Sequence, residues 1–302
     1  MGASQLAAES LVPEAVVNEH VRDRPGPGVR ALVAGYSGYR TAGQAPARHR
    51  GLPSPYLTLI FTLDEPLVMA GHPDPRQAPA SYDTLAGGLH TTPALIEHDG
   101  WQSGIQLSVS PLAARALFGL PAGELASIDV EGPEVLGPLA REIQDRLRAA
   151  PGWPERFAAL DRLLAPRIAA GCPPPRPEVV QAWRMLLATG GQVTVPELAA
   201  ETGWSERHLR TQLAAETGLT PKAAARVIRF DRARRRLERL ARAQPGGGWT
   251  LAGLAADCGY YDHAHLDREF GALAGCPPSQ WLAEEFRNVQ APADGLLAGS
   301  SA

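Results

Sequence analysis

Two stretches of the chain spell nearly the same seven residues: Leu198-Ala-Ala-Glu-Thr-Gly-Trp204 and, 56 residues later, Leu254-Ala-Ala-Asp-Cys-Gly-Tyr260. After one inserted residue the similarity resumes at an offset of 57. The later matched positions pair Ser205 with Asp262, Leu209 with Leu266, Leu213 with Phe270, Gly218 with Gly275 and Pro221 with Pro278. Two copies of one supersecondary unit are the simplest interpretation.

Each copy predicts a helix, a tight turn and a second helix. Residues 194–197, Thr-Val-Pro-Glu, have the pattern of a capping box, and Thr250 can cap the equivalent helix of the second copy. Gly203 and Gly259 stand where the chain must reverse, a position that favours a positive φ. Each copy is therefore a predicted helix-turn-helix, whose second helix can lie in the major groove of DNA.

The segment between the copies is strongly basic. Residues 205–242 hold 11 basic and 4 acidic residues, whereas the whole chain has a net charge of −3. A helix over residues 221–242 would span roughly 33 Å, close to the ~34 Å between successive major-groove faces. Its predicted inner face carries Val227, Phe230, Leu237 and Leu240, which leaves Arg232, Arg234, Arg235, Arg236 and Arg239 for solvent or phosphate.

Residues 181–286 resemble the C-terminal DNA-binding domain of the AraC/XylS family of bacterial transcription regulators. In the first copy and the basic segment that follows it, the residues that carry the resemblance are Ala199, Gly203, Ser205, Leu209, Gly218, Pro221, Arg226, Arg229, Ala233 and Leu237. In the second copy it is carried by Ala255, Cys258, Gly259, Tyr260, Asp262, His265, Leu266, Phe270, Gly275, Pro277 and Pro278. The resemblance implies a transcription regulator that reads two adjacent major-groove segments.

The candidate base-contacting residues lie opposite the buried leucines of each second helix, at positions that the family also uses. They are Arg207, Arg210, Thr211, His263, Ala264, His265, Asp267 and Arg268. Arginine can bond guanine O6 and N7, whereas an acid in the groove accepts from cytosine or repels phosphate, so we expect weaker reading from the second copy. Thr211 stands where relatives usually have arginine, and Leu213 where they have phenylalanine. The candidate phosphate contacts are Ser205, His208, Lys222, Arg226, Arg229, Arg232 and Arg235.

The front half of the chain predicts short strands separated by Gly, Pro, Asp and His, and hence an antiparallel sheet or small barrel. Residues 55–63 and 104–125 resemble, more faintly, the cupin-like sensor domain of some relatives. Tyr36, Tyr56, Phe61 and Trp101 are the candidates for lining an effector pocket. Two amphipathic stripes, over residues 135–147 and 157–168, either pack on this sheet or form a dimer seam.

The expected fold class is α+β: a cupin-like β domain with flanking helices, followed by an all-α domain of two helix-turn-helix units joined by a long helix. The predicted divisions are a loosely ordered arm (1–27), a sensor or dimerisation domain (28–170), a proline-rich linker (171–177), the DNA-binding domain (178–287) and a tail (288–302). Each of the two domains is expected to have its own core.

Other classes of function find little support in the sequence. No apolar run reaches ~18 residues, no secretory signal is evident, and three scattered cysteines suit a reducing cytoplasm. His263-Ala-His265 has metal-like spacing, but it falls on a predicted reading helix without a third ligand. The expectation is a non-enzymatic protein without metal or cofactor. The alternative is a metal-dependent cupin-type enzyme tethered to DNA.

The expected partners follow from this interpretation. Double-stranded DNA is the principal one. A small-molecule effector and a second copy of the chain stay open as partners of the front domain, and RNA polymerase would be a partner of an activator. No membrane partner is expected.

Overall fold

The computed structural model describes residues 16–170, 172–243 and 248–289. Within them the chain forms an N-terminal domain of antiparallel sheets with flanking helices, followed by a wholly helical domain. The predicted α+β class is confirmed. None of the helices in these described residues is long and apolar enough to cross a membrane.

The N-terminal domain contains ten strands in two antiparallel sheets. The strands are β1 (Val17–Asp23), β2 (Val33–Ala42), β3 (Ala47–Gly51), β4 (Leu57–Thr62), β5 (Leu67–Gly71), β6 (Ala80–Tyr82), β7 (Thr84–Gly87), β8 (Ala94–His98), β9 (Gln102–Val109) and β10 (Asp129–Glu131). One sheet has the order β1-β2-β9-β4-β7-β10, and the other β3-β8-β5-β6. Apolar side chains of both sheets, among them Ile60, Leu85, Met69 and Ile96, form one buried cluster between them.

The predicted loose arm is wrong for residues 17–23, while residues 1–15 lie outside the described part of the chain. Val17–Asp23 pairs along its length with β2 as an edge strand. Its side chains are mostly exposed, so it has no apolar alternation from which a strand could be predicted. The following turn is held by Asp161, whose carboxylate accepts hydrogen bonds from the Gly26 amide and the Tyr36 hydroxyl.

Four helices complete this domain: α1 (Ala114–Phe118), α2 (Gly132–Leu136), α3 (Pro138–Ala149) and α4 (Trp153–Ala169). A 3-10 turn lies at Pro111–Ala113, directly before α1, and another lies at Ala122–Leu125. Gly137 and Pro138 divide the first predicted stripe into α2 and α3. The buried members of both stripes belong to the main core, so the packing alternative describes the structure.

The helical domain contains α5 (Pro177–Ala188), α6 (Val195–Thr202), α7 (Glu206–Thr217), α8 (Pro221–Ala243), α9 (Leu251–Asp257), α10 (His263–Ala274) and α11 (Pro278–Val289). We call α6–α7 unit one and α9–α10 unit two. The connecting helix α8 is continuous over 23 residues. Phe230 of α8 packs edge-on against Phe270 of α10, with ring centroids 4.9 Å apart, and ties α8 to unit two.

The two domains share a core, although each was expected to have its own. A single cluster of buried apolar side chains extends from the sheets through Ala122 and Leu125 to Leu209 and Leu213 of α7. The 3-10 turn Ala122–Leu125 packs on α7 so closely that a Cβ at Gly123 would lie 2.2 Å from the Ala215 carbonyl oxygen. Only glycine fits there without displacing backbone.

Candidate nucleic-acid interface

Helix α7, the reading helix of unit one, separates an apolar face from a cationic one. Ser205 caps it by accepting a hydrogen bond from the His208 amide at 3.3 Å, and the turn before it ends at Gly203 with φ +69°. Leu209 and Leu213 are fully buried. Arg207, Arg210 and Thr211 are exposed on the opposite face, and the Thr211 hydroxyl donates to the Arg207 carbonyl at 3.1 Å. The three predicted base-contacting side chains therefore share one accessible surface.

Helix α10, the reading helix of unit two, has the same cap but a mixed charge. Asp262 caps it by accepting from the His265 amide at 2.7 Å. His263, Ala264 and Arg268 are exposed, and His263 Nε2 lies 3.2 Å from Asp267 Oδ2. An acid thus lies on the surface that would meet the DNA.

The remaining histidine of α10 is directed inward. The His265 ring is half-buried and packs edge-on against Tyr260, with ring centroids 5.3 Å apart. His263 and His265 therefore have separate surroundings, which does not suit a shared metal ion. Across the described residues, no three His, Cys, Asp or Glu side chains cluster in a way that could hold a metal.

The two units contact each other directly as well as through α8. Gly259, with φ +77°, lies so close to Gln192 that a Cβ there would be 2.7 Å from the Gln192 side chain. Arg232 of α8 donates to the Asp257 carbonyl at 3.1 Å. The loop before unit one therefore packs against the turn of unit two, and this contact restrains the angle between the reading helices.

A groove of about 480 Å³ lies between the units, and we call it the inter-unit groove. Its walls are the loop at residues 191–195, helix α8 and the side of α10. The charged or titratable side chains lining it are Lys222, Arg226, Arg229, His265 and Glu269. Three of the predicted phosphate contacts are thereby brought together.

The other phosphate candidates are placed differently. Ser205 and His208 lie at the start of α7, where the His208 ring packs edge-on against Trp204 at 4.7 Å. Arg232 is exposed beside the groove. Arg235 points towards the N-terminal domain, because its guanidinium lies 5.8 Å from the Tyr56 ring. It also pairs with Asp231 of the same helix at 2.7 Å. The structure does not bring Arg235 together with the groove.

The expectation that the outer arginines of α8 all face solvent or phosphate is wrong for Arg234. Its guanidinium is largely buried and bonds Asp231 at 2.7 Å and Glu238 at 2.6 Å. Burial alone would lower the pKa of Arg234, but the two carboxylates outweigh it and the pKa lies above its ordinary value. Arg236 is paired with Asp257. Much of the basic charge of α8 is therefore neutralised within the protein.

A bidentate ion pair attaches unit one to the N-terminal domain. Arg115 of α1 donates to both carboxylate oxygens of Glu216 at 2.9–3.1 Å. The Glu216 side chain is 7% exposed and that of Arg115 33%. These hydrogen bonds raise the pKa of Arg115 above its ordinary value. A second ion pair links the N-terminal domain to α11, in which Arg50 of β3 pairs with the partly exposed Glu284.

The four candidate pocket residues lie in different surroundings. Tyr36 and Phe61 are buried in the core, with the Tyr36 ring stacked on Phe157. Tyr56 lies at the contact with α8, and Trp101 is exposed at the surface.

Sequence reasoning missed several side chains of this interface. Tyr261, in the turn before α10, is 94% exposed and is the one-residue insertion that distinguishes the second copy. That insertion was the available signal. No sequence motif marks Gln192 or Glu269. They line the groove only because the two units pack against each other.

The sequence match to a known protein family covers the helical domain only. Residues 198–284 match a family described as a helix-turn-helix domain. No curated protein matches the chain in sequence. The chain's fold is similar to the crystal structure of an apo single-residue variant of ToxT from Vibrio cholerae strain SCE256, with a TM-score of 0.50 and 8% identity, over 87% of this chain and 99% of that chain.

A second crystal structure, of wild-type ToxT from the same strain with bound unsaturated fatty acid, aligns with a TM-score of 0.47 and 8% identity. That alignment covers 80% of this chain and 92% of the other. Residues 198–284 hold two reading helices of matching sequence and shape on one continuous linker helix. The chain therefore carries a helix-turn-helix domain with two such units, a class of domain that can place its second helix in the major groove of DNA.

Proposed function

We propose that the protein binds DNA sequence-specifically by placing α7 and α10 in two successive major grooves on one side of the duplex. The observation that carries the proposal is the unbroken α8, which joins two units whose reading helices both present polar faces to solvent. A 23-residue helix spans roughly 34 Å, which matches one turn of B-DNA. One chain can therefore reach both grooves.

Base reading is assigned to the exposed faces of α7 and α10. Arg207 and Arg210 are suited to guanine, and the Thr211 methyl group to the thymine methyl. In α10 the corresponding side chains are His263, Ala264, His265, Asp267 and Arg268. The paired Asp267 and the inward position of His265 support a weaker contribution from unit two.

Phosphate binding is assigned to the start of α7 and to the inter-unit groove. Ser205 and His208 lie at a helix N-terminus, which favours anions. Lys222, Arg226, Arg229 and Arg232 flank the path between the units. Such contacts fix the register of the protein on DNA without reading the sequence.

The decisive experiment is in vitro selection of duplexes by the full chain, followed by footprinting on the selected DNA. We expect protection of two major-groove segments about 10 base pairs apart on one face of the duplex. The Arg207→Ala/Arg210→Ala double variant should lose preference in one segment only. A failure to enrich any sequence, or protection of a single segment, would contradict the proposal.

Control through the N-terminal domain, by an effector or by a second copy of the chain, is part of the proposal. Its support is the Arg115–Glu216 pair, which attaches the reading helix α7 to that domain. A change in the N-terminal domain can therefore shift α7. RNA polymerase would be a further partner of an activator.

The proposed function is non-enzymatic and belongs to the cytoplasm, where bacterial DNA lies. The enzyme alternative has no observation of its own in its favour. Metal analysis of the purified protein is its direct test, since a stoichiometric metal ion would revive it.

A further inference from the structure

The inter-unit groove contains one carboxylate among its cations, and this carboxylate is engaged. Arg226 Nε of α8 donates to both Glu269 oxygens of α10, at 2.9 and 3.1 Å. The Glu269 side chain is 14% exposed and that of Arg226 is 33% exposed. The pair spans α8 and unit two and closes one side of the groove.

The neighbouring cations are without such a partner. Lys222 is exposed, and within the described residues neither it nor Arg229 forms an ion pair. The Arg229 guanidinium lies 5.3 Å from the Tyr260 ring, and its buried Nε has no hydrogen-bond partner among the described atoms. The groove therefore offers two unpaired cations beside a third that is already bound.

The position of the groove determines what it would meet. Between two successive major grooves on one face of B-DNA lies a minor groove, bordered on each side by a phosphate backbone. If α7 and α10 occupy the two major grooves, this backbone passes between the units. A phosphate oxygen binds arginine through the same paired geometry that a carboxylate uses.

We propose that Glu269 is an intramolecular competitor of the DNA backbone, and that a phosphate takes its place on Arg226 when the duplex binds. Because the Arg226–Glu269 pair must break when DNA binds, its free energy lowers the affinity for every sequence by the same factor. The preference between base sequences is unchanged. The residue thus limits sequence-independent binding. This inference rests on the proposed DNA-binding function and deepens it.

The test compares the full-length wild type with Glu269→Gln, which keeps the shape of the side chain and removes its charge. Binding is measured by fluorescence anisotropy on a duplex selected with the wild type and on a scrambled duplex of the same composition. We expect Glu269→Gln to tighten binding to both duplexes by a similar factor, about fivefold, as for one charge-assisted contact. Equal affinities of variant and wild type would overturn the inference.

Two controls separate competition from a general effect of charge. Glu238→Gln is the matched variant, because Glu238 also pairs with an arginine of α8, Arg234, but does not line the groove. It should leave binding unchanged. In the Arg226→Gln background, Glu269→Gln should no longer tighten binding. A gain that persists without Arg226, or that Glu238→Gln reproduces, overturns the inference.

The failure of the proposed function is a different result. If the wild type selects no duplex, DNA reading itself fails and the inference fails with it. If the wild type selects a duplex and Glu269→Gln does not tighten binding, only the role of Glu269 is lost. A misfolded variant would bind more weakly, so the predicted gain cannot arise from damage to the fold.

Discussion

The two helix-turn-helix units have nearly the same helices and caps, but their acidic residues lie in different places. In unit one Glu216 is directed away from the reading face and bonds Arg115 of the N-terminal domain. In unit two Asp267 lies on the reading face, paired with His263, whereas Glu269 lines the inter-unit groove and is paired with Arg226. The two units thus share a shape but differ in where their acidic side chains lie.

This difference teaches that a shared fold does not imply an equal share in binding. DNA affinity depends on cations that are free to meet phosphate or base edges. Unit one presents two exposed arginines on α7, with Glu206 at the start of that helix, whereas unit two presents one exposed arginine, Arg268, with Asp267 next to it on α10. We therefore regard unit one as the main source of base recognition. Unit two extends the contact to a second major groove, and its Glu269 limits sequence-independent binding.

The largest expected effect separates the two reading faces. Arg210→Ala should weaken binding to the selected duplex by about 1–3 kcal/mol and relax preference at one base pair, because a bidentate contact to guanine is lost. The equivalent change in unit two, Arg268→Ala, should cost less. Affinities for single-base variants of the duplex measure both. Equal losses would end the distinction between a main and a secondary reader.

The next effect concerns how the units are anchored. Glu216→Gln should destabilise the contact of α7 with the N-terminal domain by about 2 kcal/mol, less than for a fully buried pair because Arg115 is one third exposed. Glu284→Gln should cost under about 1 kcal/mol, as for a partly exposed pair. Hydrogen exchange of the amides of α7 and α11 reports each change locally. Similar effects of the two variants would show that α7 and α11 are held alike by the N-terminal domain.

A smaller difference lies in the first helices of the units. Thr194 takes part in a complete capping box, since its hydroxyl caps the Glu197 amide and its own amide donates to Glu197 at 2.8 Å. Thr250 makes only the first of these bonds, with Gly253. Thr194→Ala should cost about 1 kcal/mol of unfolding free energy and Thr250→Ala somewhat less. Urea unfolding compares them, and a larger loss for Thr250→Ala would contradict this account.

The smallest effect tests the acid on α10. Asp267→Asn removes a negative charge from the reading face and should tighten binding to most duplexes about twofold to threefold, as for one exposed charge. Glu206→Gln, a change of an exposed acid at the start of α7, is the control for position. A loss of affinity for one base pair only would mean instead that Asp267 reads cytosine.

Much of the helical domain could be predicted from the sequence because its signals are local. The capping box at Thr194, the left-handed turns at Gly203 and Gly259, and the length of α8 depend on residues within a few positions of each other. Because the seven residues 198–204 recur at 254–260, the second unit could be predicted as well as the first. Strand β1 was missed because an exposed edge strand has no apolar pattern.

Ion pairs between elements that are distant in the sequence could not be predicted in this way. The pairs of Arg234 with Asp231 and Glu238 lie within α8 at the i,i+3 and i,i+4 spacings, so the sequence could have shown them. The approach of Arg235 to the Tyr56 ring of the N-terminal domain could not be read from α8 alone. From the sequence alone, Glu269 is expected to be a solvent-exposed acid. Its ion pair with Arg226 exists only because α10 packs beside α8. Ion pairs between distant residues follow from packing and not from spacing.

The sequence by itself therefore determined that this protein has two reading helices on a continuous linker, since helix caps, turns and apolar periodicity act over a few residues. Only the tertiary structure decided which arginines remain free, which reading helix is attached to the N-terminal domain, and that a groove with one engaged carboxylate lies between the units. The physical reason is that electrostatic partners are set by distances in space, and those distances arise only when separate elements pack.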